Sequence, residues 1–200
     1  MIQGVDVSYW QGSNINWPLV ANSGVQFAYI KSTEGVGRIE PMAHSQSIGA
    51  QGAGIKIGYY HFANAGGDSA LAEATFFDRI IKTLPKADLI PVLDIETNKF
   101  NLSAQQMTKW MEDFVSCLHG LGYPNIMLYS YTPFFNQYLL PSTILAPTKL
   151  WIAQYTHAQA PSLPHGYTKY DVWQYSNTGS VTGIGQCDVN ICSVLPLASP

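Results

Sequence analysis

Apolar residues along this chain follow two rhythms that take turns. Short runs that alternate or stay apolar read as strands, and longer segments with spacings of three and four read as helices. Ile2–Val7, Val25–Lys31 and Ile55–Phe62 form the first three strands, the second followed by a polar loop over 32–37. Trp17-Pro18 opens a short helix that ends near Gly24. Pro41 to Ala53 fits a helix with proline in its first turn and Gly54 as its stop. Asp68 is placed to N-cap a helix that runs to about Leu84. Ser103 and Gln106 have the spacing of a capping box, and the helix they open carries Met107, Trp110, Met111, Phe114 and Leu118 on one face. Asn125–Tyr131 is a further strand and Phe134–Leu140 a short helix. Leu150–Tyr155, Tyr170–Tyr175 and 187–191 then follow as strands with little helix between them.

Strand and helix thus alternate to about residue 140, a pattern that predicts parallel strands with crossover helices. About eight strands in 200 residues suit a closed α/β barrel that loses its helices in its last third. The length fits one domain over 1–200.

Leu89–Glu96 is the most informative stretch. It is an apolar strand that ends in two acids separated by one isoleucine. Alternation puts Val92, Asp94 and Glu96 on one face, with the two acidic Cα atoms about 6–7 Å apart. Carboxylates at the end of a buried strand are costly unless partners satisfy them or chemistry uses them. Asp6 ends the first strand and Asp188 begins the last, so four acids fall at strand ends. In a parallel barrel, loops at the C-terminal rim build the site. Two carboxyls there suit glycoside cleavage, because crowding keeps one of them protonated as a general acid. Solvated strand-end acids and a magnesium or calcium site are the competing readings.

Composition narrows these choices. A net charge of −3 without a basic run leaves no footprint for nucleic acid. The 12 tyrosines and 5 tryptophans suit a polar, uncharged ligand such as a sugar, beside their ordinary use in a core. No stretch is long and apolar enough to insert in a membrane, and Met1 is not followed by the basic and apolar regions of a signal peptide. The histidines have no serine or cysteine context for a nucleophilic triad; His61 reads as a structural, hydrogen-bonded histidine and Glu34 as a solvated loop acid. Cys187 and Cys192 are spaced to close a short loop in an oxidising compartment, although their pairing is not fixed by the sequence. No cofactor or metal is called for.

Several motifs, taken in order, resemble the family 25 glycoside hydrolases, the lysozymes of bacteria, phages and fungi. They are Asp6-Val7-Ser8-Tyr9-Trp10-Gln11-Gly12, Phe27 to Gly35, Gly58 to Phe62, Pro91 to Glu96, Leu150 to Tyr155, Trp173 to Tyr175 and Cys187 to Asn190. The resemblance implies a modified TIM-like barrel with about five βα units followed by strands with few helices. It implies cleavage of the β-1,4 bond between N-acetylmuramic acid and N-acetylglucosamine in peptidoglycan glycan strands. By position, Glu96 is the proton donor, with Asp94, Asp6 and Asp188 around the scissile sugar. Tyr60, Tyr129 and Trp151 line the sugar groove, joined by Tyr155 and Gln174. Asp94 is expected to orient the substrate's own acetamido group. Val92 stands where chitinases carry a further acid, which disfavours that activity. Asn16 stands where many relatives have Asp, a change expected to affect a local turn. With no repeats after residue 192, no separate wall-binding domain is expected, and the enzyme is expected to act on the wall as a monomer. It is either released from the cytoplasm, as phage lysis enzymes are, or secreted with its signal absent from this chain. A non-catalytic glycan-binding protein on the same barrel is the alternative.

Overall fold

The computed structural model of the chain describes residues 1–198. Strands β1 (Ile2–Val7), β2 (Val25–Glu34) and β4 (Lys56–Phe62) are followed by β5 (Val92–Asp94), β6 (Met127–Tyr131), β7 (Lys149–Ala153), β8 (Val172–Val181) and β9 (Gly185–Cys192). A two-residue strand, β3 (Arg38–Ile39), hangs on the edge of β2. The eight longer strands close into a barrel, because β1 pairs with both β2 and β9. Neighbours from β1 round to β8 are parallel, whereas β9 is antiparallel to both β8 and β1. Helices α1 (Trp17–Asn22), α2 (Ala43–Gly52), α3 (Ala70–Ile81), α4 (Ala104–Gly120) and α5 (Thr132–Tyr138) each sit between successive parallel strands, giving five βα units. The barrel and its five units match the sequence-based expectation.

The reversal of β9 has a simple cause. Only Thr182, Gly183 and Ile184 separate it from β8, and a parallel return needs a crossover of about a dozen residues or more. The chain therefore turns back as a hairpin, with Gly183 and Gly185 at φ of 99° and 90°.

Two apolar layers hold the barrel. Phe27, Tyr29, Val92, Met127 and Trp151 fill its interior, while Ile30, Leu93, Leu128 and Ile152 face the helices. Large rings inside need small neighbours: a Cβ on Gly58 would stand 2.3 Å from the Tyr29 ring. On the helix side, His61 is wholly buried between Thr33 Oγ1 and Glu73 Oε2, at 2.7 Å from each. It is stacked on Phe114 and ties β2, β4 and α3 together, the structural part expected for it.

Several boundaries differ from the sequence reading. β2 runs on through Glu34, because β3 folds back to pair with Thr33 and Glu34. Glu34 is no free loop acid. It holds Lys31 at 2.6 Å and Arg38 at 3.1 Å. β5 is reduced to three residues: Leu89 bridges to Leu197 instead, and Ile90 N–H bonds to Pro196 O. Ser69, not Asp68, caps α3; the Asp68 carboxylate receives Val36 N–H and Asn64 Nδ2. The capping box of Ser103 and Gln106 forms as expected. Asn16 caps α1 through Leu19 N–H. Cys187 and Cys192 lie toward opposite ends of β9 as free thiols. Five residue steps along the strand put their Cα atoms about 16 Å apart, far beyond the roughly 4.4–6.8 Å that a disulfide allows. Among the described residues no helix is long and apolar enough to cross a membrane.

Candidate active site

Parallel strands deliver their C-terminal ends to one rim, and there Asp6, Asp94, Glu96 and Asp188 line a single cavity of about 300 Å³. Asp6 is near the end of β1, and Asp94 is the last residue of β5, with Glu96 two residues beyond. Asp188 reaches the same level because β9 runs backwards; it pairs directly across the ladder with Asp6. Asp6 and Asp94 are buried, Glu96 and Asp188 half-buried. A larger cavity of about 530 Å³ opens among Tyr59, Leu84, Leu89 and Tyr123, at the opposite end of the barrel. Among the described residues no acid lines it.

Burial raises all four carboxyls above their ordinary range, and each also feels its neighbours. Asp94 is pushed up strongly by burial and then by Glu96. Glu96 is raised by burial and by Asp6, with Lys31 pulling the other way. Asp188 is pushed up to about 8 by burial and by the Asp6 charge. Asp6 is raised by burial, opposed by hydrogen bonds from Asn190 and Gln174. Such a cluster cannot be fully ionised near neutral pH, which is the condition a general acid requires.

The aromatic residues singled out from the sequence sort into two groups. Tyr60, Tyr129 and Trp151 do line the cavity. Tyr129 and Trp151 are nevertheless buried, and their polar atoms turn away: Tyr129 Oη donates to Gln174 Oε1 at 2.9 Å and Trp151 Nε1 to Asn190 Oδ1 at 2.8 Å. Gln174 is only 1% exposed and stands behind Asp6, to which its Nε2 donates at 2.9 Å. Tyr155, half-exposed, donates to the same Gln174 oxygen at 2.8 Å. Neither Gln174 nor Tyr155 lines the cavity.

Sequence reasoning passed over Trp10, Lys31 and Asn190. Among the described residues Lys31 is the only cation lining the cavity, and it stacks over Phe62 at 4.7 Å. Period two gave the signal, since Lys31 shares the inward face of β2 with Tyr29. Asn190 shares a face with Asp188 for the same reason. Trp10 is 78% exposed on a short 3₁₀ turn over Tyr9–Gln11 at the cavity rim. Gln46 Nε2 pins that turn through Ser8 O at 2.8 Å and Gly12 O at 3.2 Å. Among the described residues, no group of three or more histidine, cysteine or acidic side chains is arranged to hold a metal ion.

Residues 5–184 match the model of the glycosyl hydrolases family 25. The chain belongs to this family. It is therefore a glycosidase. Lysozyme M1 of Streptomyces globisporus is 36% identical over 94% of this chain and 67% of its own length. The N,O-diacetylmuramidase of Chalaropsis sp. is 30% identical, covering 91% of both chains. Among solved structures, the bacterial lysozyme of Streptomyces coelicolor superposes with a TM-score of 0.86 at 32% identity, over 96% of this chain and 92% of that one. The family match ends before Asp188, so the fourth acid of this family 25 chain is tied to the other three by the β1–β9 ladder rather than by the match.

Proposed function

We propose that this family 25 chain is a lysozyme that hydrolyses the β-1,4 bond between N-acetylmuramic acid and N-acetylglucosamine in bacterial peptidoglycan. The observation that carries the proposal is the convergence of Asp6, Asp94, Glu96 and Asp188 on one cavity at the C-terminal rim of the barrel. The kinship with a lysozyme and a muramidase supports the substrate class.

Glu96 is the proton donor. It is the more exposed of the two acids at the end of β5, and burial and Asp6 raise its carboxyl above the ordinary range. Asp94 orients the substrate acetamido group. Its Oδ1 is buried without a hydrogen-bond partner, an acceptor that an acetamido N–H would satisfy. In the empty cavity burial favours the proton on Asp94. Once an N–H reaches Asp94 its ionised form is stabilised, and the proton belongs to Glu96. The acetamido oxygen then attacks the anomeric carbon as Glu96 protonates the departing oxygen, and Glu96 later takes a proton from the incoming water. The chain works as one catalytic domain over 1–200, as a monomer on glycan strands at the cell wall, without nucleic acid or membrane insertion.

The test is digestion of purified peptidoglycan, borohydride reduction and mass spectrometry of the new ends. Reduced muramic acid ends are expected, and reduced glucosamine ends would overturn the bond assignment. Loss of the acetamido group from a small substrate should abolish turnover; unchanged turnover would remove the role given to Asp94.

A further inference from the structure

Asp6 and Asp188 face each other across the β1–β9 ladder, and the hydrogen bonds around them are lopsided. Asp6 Oδ2 accepts from Gln174 Nε2 at 2.9 Å and from Asn190 Nδ2 at 2.7 Å. A carboxamide can in principle turn round and present its oxygen instead. Here the orientation is set from behind. An indole N–H only donates, and Trp151 Nε1 lies 2.8 Å from the far side of the Asn190 amide. The Asn190 atom that meets it must be the oxygen, so the NH₂ group must face Asp6. Gln174 presents its oxygen to the hydroxyls of Tyr129 and Tyr155; a hydroxyl can also accept, so Asn190 is the amide whose orientation a donor-only partner fixes. Trp151, Asn190 and Gln174 are exposed by 2%, 1% and 1%, so water does not compete for these contacts. The two N–H donors occupy Oδ2 and stabilise the charged form of Asp6, which leaves Oδ1 to accept the hydrogen bond shared with Asp188.

We infer that Trp151, Asn190 and Gln174 form a one-way hydrogen-bond relay that holds Asp6 as the anion and places the proton of the Asp6–Asp188 pair on Asp188. Two carboxyls directly opposite on neighbouring strands repel when both are charged, so one proton between them is the stable count. Among the described residues, Asp94 and Glu96 from the end of β5, Tyr60 from β4, Tyr129 from β6, Tyr155 beyond β7 and Cys187 on β9 are the other titratable groups around the pair, with Lys31 on β2 the only cation. The acids among them favour keeping that proton; the deeper burial of Asp6 favours placing it there, and the two carboxamides oppose that by stabilising the Asp6 anion. Burial and the Asp6 charge push Asp188 up, in keeping with this placement.

The relay deepens the lysozyme proposal and rests on it for its purpose. An Asp6 carboxylate faces the positive charge that develops on the sugar, and Asp188 is left as a hydroxyl donor. Trp151, Asn190 and Gln174 are positioning residues that act through Asp6.

The experiment is carbon NMR of the full, ligand-free chain with ¹³Cγ-labelled aspartate, titrated from about pH 4 to pH 9, with Asp6→Asn and Asp188→Asn identifying the two signals. At about pH 6, Asp6 is expected at a carboxylate shift and Asp188 at a carboxylic-acid shift, with Asp188 titrating at about 8. Asn190→Leu removes one donor at similar volume and is expected to draw the two shifts together. Gln174→Leu is the second variant should the first not fold. An ionised Asp188 at about pH 6, a protonated Asp6, or shifts unmoved by either variant would overturn the inference. The unmodified protein already decides where the proton sits. No substrate is involved, so failure here leaves the lysozyme proposal standing, and failure of that proposal leaves this measurement intact.

Discussion

Replacing Asp188 by Asn should make the protein more stable near neutral pH, and the gain should vanish in acid. Burial and Asp6 move the Asp188 carboxyl from 3.8 to about 8. The native state thus binds this proton more tightly than the unfolded chain does. Below the unfolded value both states are protonated and no penalty exists. As pH rises from about 3.8 the unfolded chain releases the proton while the native state retains it, so stability falls until the native group also ionises near 8. At full strength that gap is worth about 6 kcal/mol at 1.36 kcal/mol per tenfold step in acidity. Asp188 is only half-buried, and water screens much of the effect, leaving about 2 kcal/mol. Asn has no proton to exchange, and its NH₂ group can donate to Asp6 as the protonated acid does. For a domain of this size 2 kcal/mol is a rise in melting temperature of about 4–8 °C. Scanning calorimetry of both proteins at about pH 3.5, 5, 7 and 8 gives the comparison. The difference should be near zero at the first and largest at the last. A gap that stays constant across that range, or an Asn variant that melts lower at about pH 8, would refute the assigned strain.

Glu96→Gln should reduce turnover by about 10²–10⁴-fold without loss of fold, measured by release of reducing ends beside circular dichroism. The alkaline limb of the parent's kcat profile should lie above the ordinary 4.5 of a glutamate, since Glu96 works protonated and is raised; a limb at or below that value would remove it as the acid. Glu73→Ala strands the buried His61 and the Asn64 N–H, at a cost of about 3–5 kcal/mol. Thermal unfolding should show a loss of roughly 6–20 °C, with turnover at low temperature largely kept because this network lies on the helix side of the barrel. Gly58→Ala drives a methyl group into the Tyr29 ring, whose neighbour at 4.9 Å is Trp151. A stability loss of about 1–3 kcal/mol should come with lower kcat, and an unaltered kcat would show that the barrel interior absorbs the shift.

The pattern of the chain carried the alternation of strands and helices through α5, the face shared by Val92, Asp94 and Glu96, and the capping box of α4, because each is local. Periods of two and 3.6 depend only on backbone geometry and on which side chains avoid water. Motif order carried the family. The shortening of β5 was out of reach, since it depends on Leu89 meeting Leu197, more than a hundred residues away. The same holds for Glu34, whose place in β2 depends on the return of β3. The cysteine spacing invited a bridge that the extended run of β9 forbids.

The sequence by itself determined which acids exist, that they fall at strand ends, and that the strands feeding them run side by side. Only the tertiary structure decided what each acid touches. Gln174 and Trp151 both read from the sequence as groove residues; Gln174 stands behind Asp6, whereas Trp151 lines the cavity and directs its N–H to Asn190. The physical reason is that a hydrogen bond is directional and reaches about 3 Å, so whether a polar side chain meets substrate or another side chain depends on how the barrel closes. Closure brings residue 6 against residue 188, and with it the partners that set the two carboxyls apart.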